Sequence, residues 1–390
     1  MVREMIPRLL GLMTGIVLAV ILILVYLLTP QLGLATVEVY DRNKLIILDQ
    51  VVGYQYFKQS DYEDRVEGLY SGYVSGLEDS TTMYFTAEEA AKWLAEDKGK
   101  YVGTGIKFTW GITNQYLVVT EVLNNSPAEA AGIQVGDRIT AIDGVFAMMS
   151  NELDIYEKLT STSDAVYTVI KDGIETDIAL FSAEIETDAV NSMLLQNNIG
   201  YLELASLNEG AVEEIYSHID NLETQGANKW IIDMRYLSNA DFQETILLTD
   251  LLTDAGPMFL SVDKEGETTE YNSVNEKING QVVILTNAST SGNVEAVIAT
   301  VKDDESITTI GTNTKGNAKV QEFIQLSDGS GLLIATENLY TTDEREIGSE
   351  PMEPEILVEL DVAYTLKLVT EGVSDKELDN QLIAAIEHLS

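Results

Sequence analysis

The longest hydrophobic run in the chain, Leu9–Leu28, lies close to the N-terminus and contains no charged residue. A helix of about 20 apolar residues spans the hydrocarbon core of a bilayer. Arg3 and Arg8 precede the run and residues 29–40 contain no Lys or Arg, which predicts a cytoplasmic N-terminus with the rest of the chain outside. We expect residues 1–30 to form an uncleaved, single-pass anchor in the cell membrane. A cleaved signal peptide is the alternative, although the run is long for one.

The next part of the chain has the spacing of helices. Apolar residues recur at helical intervals in residues 41–58, and residues 61–77 are interpreted as a second helix. A capping box formed by Thr86 and Glu89 marks the start of a third helix. Residues 40–98 are therefore predicted to be a helical segment.

From residue 101 the pattern changes to short runs rich in β-branched and aromatic residues, which predicts a β-rich domain over residues 99–185. Residues 151–159 interrupt it with a helix. Its last two strands, 166–170 and 174–181, are expected to form a hairpin around an Asp-Gly turn.

In the core region, residues 190–365, strands and helices alternate. A strand at 199–204, a helix at 211–225 and a strand at 230–234 form a βαβ unit, which requires parallel strands and a right-handed crossover. The further predicted elements are a helix at 242–252, a strand at 282–286, a helix at 293–302, a hairpin at 320–335 and, within the segment 370–390, a final helix that begins at Ser374 and is capped by Glu377.

Composition excludes several classes of function. The 64 acidic and 23 basic residues give a formal net charge of -41, which repels nucleic acid because phosphate contacts need Lys and Arg. The apolar content of 45% is high enough for folded cores. There is no Cys, so thiol catalysis, disulfides and zinc fingers are excluded. The acidic residues lack calcium-loop spacing, and no metal or other cofactor is expected.

The two histidines, His218 and His388, leave almost no candidates for a Ser-His-Asp triad. His218 falls in a predicted helix and His388 lies at the C-terminal end of the chain. Each is interpreted as an ordinary helix residue.

A recognisable run begins at Ser126 with Ser-Pro-Ala-Glu-Ala-Ala-Gly and continues through Val-Gly-Asp to Ile-Asp-Gly, which ends at Gly144. Its order resembles that of bacterial PDZ modules. The carboxylate-binding loop that this resemblance implies consists of Gly103, Thr104, Gly105 and Ile106, with Thr104 in place of the usual apolar residue. Backbone N–H groups there would capture a terminal carboxylate, and the peptide would add as a strand beside residues 106–108. A merely structural loop is the alternative.

Four more stretches, 77–89, 200–235, 326–330 and 352–356, resemble sequence patterns of the carboxyl-terminal processing, or tail-specific, peptidases. The resemblance runs from about residue 40 to the C-terminus. It implies an α+β protein in which a PDZ domain is inserted between an N-terminal helical segment and an α/β peptidase-like core with ββα and βαβ units. Members of the family use a Ser nucleophile with a Lys general base.

The residues that would carry this chemistry are replaced. The stretch 287–295 matches the nucleophile motif and puts Gly292 at the attacking position, and the stretch 311–321 puts Asn317 at the base position. An amide is not a useful general base near neutral pH. Gln321, which supports the base in the family, is kept. The oxyanion loop has lost a proline and two glycines, and Ser238, Asn239 and Ala240 stand in their place.

These substitutions predict a pseudoprotease that recognises protein C-terminal tails or an active peptidase relative. The alternative is an active serine endopeptidase that cleaves exported proteins near their C-terminus with a displaced Ser291–Lys315 dyad; otherwise Ser289 and Ser291 would cap the following helix. A third hypothesis is a structural cell-envelope protein whose PDZ domain binds nothing. The resemblance also implies a possible homodimer through residues 374–389.

Overall fold

The computed structural model describes residues 39–152, 155, 158–159, 164–238, 240–373 and 376–390, with side chains from residue 44 onward. Along the chain, the boundary between two compact units falls between Leu69 and Tyr70. Within the described residues no helix is both long enough and apolar enough to cross a membrane. The run Leu9–Leu28, and with it the predicted anchor, lies outside the described residues.

The N-terminal unit contains helix α1 (Val39–Gln55) and the first half of helix α2 (Tyr62–Ser75). Arg65 on α2 pairs with Asp49 on α1 at 2.9 Å, and the same guanidinium also donates to the Ser60 carbonyl and hydroxyl. The helices expected at 41–58 and 61–77 are confirmed, with ends shifted by one to three residues.

Helix α3 (Ala87–Glu96) follows a short strand β1 (Met83–Phe85) in the second unit. The predicted capping box is present, because Thr86 accepts from the Glu89 backbone N–H while the Glu89 carboxylate accepts from the Thr86 N–H. The reciprocal bonds satisfy two donors that the first turn of a helix otherwise leaves unpaired.

The β-rich domain is a mainly antiparallel sheet in the order β3-β4-β5-β7-β8, with β6 beside β5 and the short helix α4 (Pro127–Ala130) after β4. Its core includes Leu117, Val119, Ile139 and Tyr167. Strand β3 pairs only with β4, so it forms an edge of this sheet among the described residues. A separate ladder, β2 with β9, stands at the two ends of the domain sequence. The strand bounds are β2 Lys100–Gly103, β3 Ile106–Trp110, β4 Leu117–Val122, β5 Arg138–Ile142, β6 Val145–Phe146, β7 Ala165–Lys171, β8 Ile174–Leu180 and β9 Ala183–Glu186.

A second sheet, in the order β10-β11-β12-β15-β16-β20, is parallel except for β10. Residues alternate between its two faces: Trp230 and Ile232 pack under helices α5, α6 and α7, whereas Ile231 packs under helix α9. The predicted βαβ unit β11-α5-β12 is confirmed with parallel pairing. The bounds are β10 Val190–Leu194, β11 Ile199–Leu204, α5 Ala211–Thr224, β12 Lys229–Asp233, α6 Phe242–Leu252, β15 Val282–Thr286, α7 Val294–Val301, β16 Ile307–Gly311, β20 Ile356–Leu357 and α9 Asn380–Leu389.

A third sheet joins β1, β18, β13 and β14, with β17 and β19 also paired to β18. The expected β17-β18 hairpin is confirmed. Strands β13 and β14 and helix α8, which packs against β3 and β4, were not predicted. The bounds are β13 Gly256–Asp263, β14 Thr268–Ser273, β17 Lys319–Gln325, β18 Gly331–Thr341, β19 Glu346–Ile347 and α8 Val362–Glu371.

The predicted start of the last helix at Ser374 is wrong. Helix α9 begins at Asn380, and Asp379 is its N-cap, with its carboxylate accepting from the N–H groups of Gln381 and Leu382. An Asp in the cap position satisfies those donors directly, which a Glu at residue 377 does not do. The apolar side of α9, with Leu382, packs on the second sheet.

Candidate functional site

The candidate site lies at the carboxyl ends of β15 and β16, the edge at which parallel α/β sheets bind ligands. The loop after β15 carries Gly292 and the loop after β16 carries Asn317. The side chain of Glu295, at the start of α7, is fully buried and holds the second loop in place. Its carboxylate accepts from Thr314 Oγ1 at 2.5 Å, from Gly316 N at 2.7 Å and from Asn317 N at 2.8 Å.

The two positions that sequence assigned to nucleophile and base are in direct contact. The backbone N–H of Gly292 donates to Asn317 Oδ1 at 2.9 Å. Neither side chain can perform the family's chemistry, because Gly292 has no hydroxyl and Asn317 has no amine. The Asn317 side-chain oxygen therefore accepts from the backbone N–H of the residue that stands at the position of the family's attacking serine.

Gly292 has φ +73°, a left-handed conformation that glycine adopts without the steric cost that a side chain incurs. A Cβ built on it would meet no atom within 4 Å. The position therefore has room for a side chain and faces open space, although any residue other than glycine would be strained there by about 1 kcal/mol or more.

Among the described residues, no hydrogen bond joins the side chains of Ser291 and Lys315, the residues of the displaced dyad. Ser291 is buried and its N–H donates to the Leu237 carbonyl at 3.1 Å. Lys315 is exposed, whereas a neutral lysine base needs a dry pocket. The neighbouring Lys319 is engaged elsewhere, because its ammonium bonds to Asn338 and pairs with Glu346 at 3.3 Å.

The proposed capping role of the two serines is wrong. Asn293 is the N-cap residue of α7, and no side-chain hydrogen bond caps that helix. Ser289 instead donates its N–H to Asn287 Oδ1 at 2.9 Å, which shapes the turn that leads into the site.

The loop at the oxyanion position presents carbonyl groups to its neighbours. The Leu237 carbonyl accepts from Ser291 N, and the Ala240 carbonyl accepts from Asn293 Nδ2 at 3.2 Å. Ser238 is exposed, and Asn239 lies outside the described residues. The loop also donates: Tyr236 N donates to Asn287 Oδ1 and Leu237 N to the Met234 carbonyl, both at 3.2 Å. These N–H groups are engaged within the fold, whereas an oxyanion hole needs converging donors.

A buried ion network, which sequence reasoning missed, holds the start of this loop. The Arg235 guanidinium pairs with Asp233 at 2.6 Å and with Asp379 at 2.7 Å, and it donates to Gln381 at 3.0 Å. Burial alone would lower the pKa of Arg235, but the hydrogen bonds and charges of the two aspartates raise it above its usual value. Tyr201 adds a hydrogen bond to Asp233 at 2.8 Å. The C-terminal helix is thereby tied to the loop.

Gln321 is not directed at the base position in the described contacts. Its side-chain amide donates to the Thr81 carbonyl, in the stretch that leads to β1. The same stretch is tied to β18, because Thr82 Oγ1 accepts from the Ala335 N–H at 3.1 Å. Gln321 thus anchors the segment before β1.

The predicted carboxylate loop leads directly into the edge strand β3. The carbonyls of Thr104 and Gly105 accept from Ala128 N and Leu123 N at 3.0 and 2.9 Å. In the part of the chain that the structure describes, no hydrogen bond from the Thr104 or Gly105 N–H is found. Gly105 has φ +84°, and a Cβ on it would lie 2.2 Å from the Ser126 Cβ. Gly103 ends β2, and Ile106 is buried.

The two histidines do not contribute to this site. His218 Nδ1 lies 2.6 Å from Ser192 Oγ on the edge strand β10, and His218 Nε2 lies 3.7 Å from Glu214. The Glu214 carboxylate also accepts two backbone N–H groups of the stretch entering β10. This Ser-His-Glu row, which sequence reasoning did not anticipate, joins α5 to the sheet edge. His388 is on α9.

Two parts of the chain match models of known protein families. Residues 198–358 match the model of peptidase family S41, and residues 118–169 match that of the PDZ domain. The chain carries a peptidase family S41 domain and a PDZ domain. The S41 domain covers the second sheet except β10, together with both loops of the candidate site, so Gly292 and Asn317 lie in the peptidase fold.

Relatives carry names that agree with this assignment. The chain is 24% identical over 310 residues to the carboxy-terminal processing protease CtpA of Bacillus subtilis (78% of this chain, 66% of that protein). It is 25% identical over 332 residues to a carboxyl-terminal-processing protease of Picosynechococcus (80% and 79%). A solved S41 protease homologue from Bacteroides fragilis is 16% identical with a TM-score of 0.59, over 85% of this chain and 92% of that one, which shows a shared fold.

The chain spans just under two thirds of the Bacillus subtilis relative's length. The S41 and PDZ domains agree with the sequence-based family assignment and with the α+β class.

Proposed function

We propose that this chain is a membrane-anchored, extracytoplasmic pseudoprotease that binds protein C-termini, or an active peptidase relative, through its PDZ domain. The observation that carries the proposal is the hydrogen bond from Gly292 N to Asn317 Oδ1 at 2.9 Å. It supports the register of both motifs, because the assigned nucleophile and base positions meet. At that register the site has neither a hydroxyl nor an amine, so a Ser/Lys reaction has no nucleophile and no base.

The PDZ loop supports a binding role. Strand β3 is an edge strand, and the N–H groups of Thr104 and Gly105 precede it without a partner among the described residues. An edge strand and adjacent free N–H groups are the requirements for adding a peptide strand and holding its terminal carboxylate. Tail recognition by this chain therefore needs no catalytic residue.

The first test is proteolysis. The full-length chain, in detergent, is incubated with an unstructured reporter that ends in an apolar tail, beside a Gly292→Ser/Asn317→Lys double variant and a Ser291→Ala variant. We expect no cleavage by the natural chain. Cleavage that Ser291→Ala abolishes would establish the displaced dyad and overturn the pseudoprotease proposal.

The second test separates binding from a purely structural role. An array of tail peptides is made in matched pairs, one with a free C-terminal carboxylate and one amidated. Selective retention of the free acids supports recognition of protein C-termini. Equal retention of both forms, or retention of neither, would contradict the tail-binding part of the proposal. Binding of an active peptidase relative would then be tested by co-purification.

A further inference from the structure

A cleft of about 340 Å³ lies beside the candidate site. Helix α3 contributes Trp93 to its wall, β17 contributes Phe323, and Asn293, the neighbour of Gly292, also lines it. The cleft is therefore next to the position where the family's nucleophile would be.

Aromatic rings form part of the wall. Trp93 and Phe323 stack with their centroids 4.3 Å apart and their planes 9° from parallel. The packing fixes both rings, and only part of their surface is covered. Faces of tryptophan and phenylalanine attract cations as well as apolar groups.

The charged groups around these rings have one sign. Asp97, Asp241 and Glu322 line the cleft, and no Lys, Arg or His is among the described residues that line it. Asp241 Oδ1 also accepts from the Glu244 N–H at 2.9 Å, as the cap of α6. Asp97 has no ion-pair partner within 4 Å among the described side chains. Burial, and then the nearby charges of Asp241 and Glu209, raise the pKa of Asp97, with Lys98 opposing them weakly. Partly buried like charges are unfavourable unless a cation joins them.

A second observation at the same place concerns Asn293. Asn293 is only 4% exposed, and its side-chain Oδ1 has no hydrogen-bond partner. Its Nδ2 donates to the Ala240 carbonyl. A buried acceptor without a donor costs about 1–3 kcal/mol. Asn293 is thus a further polar group in the cleft wall that lacks a donor.

We propose that this cleft is a subsite for a cationic side chain, arginine or lysine, of the polypeptide that the protein binds. This rests on the proposed function, since it assumes a bound and uncleaved partner. The aliphatic stem of such a side chain packs on the aromatic wall while its head donates to the carboxylates. The formal net charge of -41 adds long-range attraction for basic partners.

The test uses two small probes, acetyl-Ala-Arg-Ala-amide and acetyl-Ala-citrulline-Ala-amide. Citrulline keeps the shape of arginine without its charge, and neither probe has a terminal carboxylate for the PDZ loop. The full-length chain is labelled with 5-fluorotryptophan, and each of its 3 tryptophans reports separately by ¹⁹F NMR. A Trp93→Phe variant assigns the Trp93 signal.

We expect the arginine probe to shift the Trp93 signal saturably and to bind about tenfold more tightly than the citrulline probe. Asp97→Asn combined with Asp241→Asn removes this preference; an Asn at residue 241 still caps α6. The matched control Asp303→Asn, at an exposed position, leaves the preference unchanged.

Three results would overturn the inference: no Trp93 shift with the arginine probe up to roughly 20 mM, equal binding of both probes, or a preference that survives the double variant. Failure of the tail-peptide array alone would leave this subsite intact. Tail binding without an arginine preference at Trp93 would remove the subsite and leave the proposed function standing.

Discussion

The sharpest structural prediction concerns Glu295, which organises the loop that carries Asn317. In Glu295→Gln the side chain keeps its volume, but one of its oxygens becomes an NH₂ group. The fully buried carboxylate accepts from three donors, Thr314 Oγ1, Gly316 N and Asn317 N. The amide must therefore face at least one donor with its own donor, and the bonds that remain lose their charge assistance.

The magnitude follows from these contacts. One buried donor left unpaired costs about 1–3 kcal/mol, and weakening two charge-assisted bonds to neutral ones adds about 1 kcal/mol each. We expect a total of about 3–5 kcal/mol. If the cost is local to the loop, amide exchange at Gly316 and Asn317 accelerates at least roughly a hundredfold, since each 1.4 kcal/mol is a factor of about ten.

Hydrogen exchange followed by mass spectrometry, on peptides that cover residues 312–318, measures this effect. Glu305→Gln makes the same chemical change at an exposed position on the turn after α7 and serves as the control. Exchange of the 312–318 peptides in Glu295→Gln within about threefold of Glu305→Gln would refute the reasoning, because the three hydrogen bonds would then contribute little.

Three further predictions concern Asp379, Gly105 and Asp97. Asp379→Ala removes the ion pair with Arg235 and the cap of α9 but leaves Arg235 paired with Asp233, so urea denaturation should show a loss of about 2–4 kcal/mol; Asp379→Asn, which keeps the cap, should lose about 1 kcal/mol less. Gly105→Ala should abolish capture of tail peptides, because the new Cβ would overlap a neighbouring serine; unchanged affinity on the peptide array would contradict this. Burial and neighbouring carboxylates, Asp241 first, raise the pKa of Asp97, so binding of the arginine probe should weaken as the pH falls from neutral through that raised pKa and should lose this dependence in Asp97→Asn.

The ion network at Arg235 has a broader consequence for the chain. Arg235 and Asp379 are 144 positions apart in sequence, yet they form one buried pair at the start of the loop that the family uses for its oxyanion hole. Asp379 joins the last helix to the buried Arg235–Asp233 pair. The last helix is therefore part of the candidate site's support, and truncations before residue 379 are expected to disturb residues 235–238.

Local patterns were sufficient for much of the architecture. The capping box at Thr86 and Glu89 and the strands and helix of the βαβ unit at residues 199–234 were visible in the sequence, because each depends on neighbours within a few residues. The motif registers that assigned Gly292 and Asn317 also came from sequence alone, and the structure brings those two positions to 2.9 Å.

Other features depend on partners far away in the chain, and only the tertiary structure decided them. The side chain of Gln321 donates to Thr81, which is 240 positions away in sequence, rather than to the loop that carries Asn317. Strand β14, with Thr, Glu and Asn at mostly exposed positions, has no hydrophobic alternation of its own and exists because β13 supplies its hydrogen bonds. The aromatic and acidic cleft beside Gly292 assembles Trp93, Asp241 and Phe323 from three separate segments. No local pattern encodes such a meeting, because it depends on where packing of the whole core places each surface.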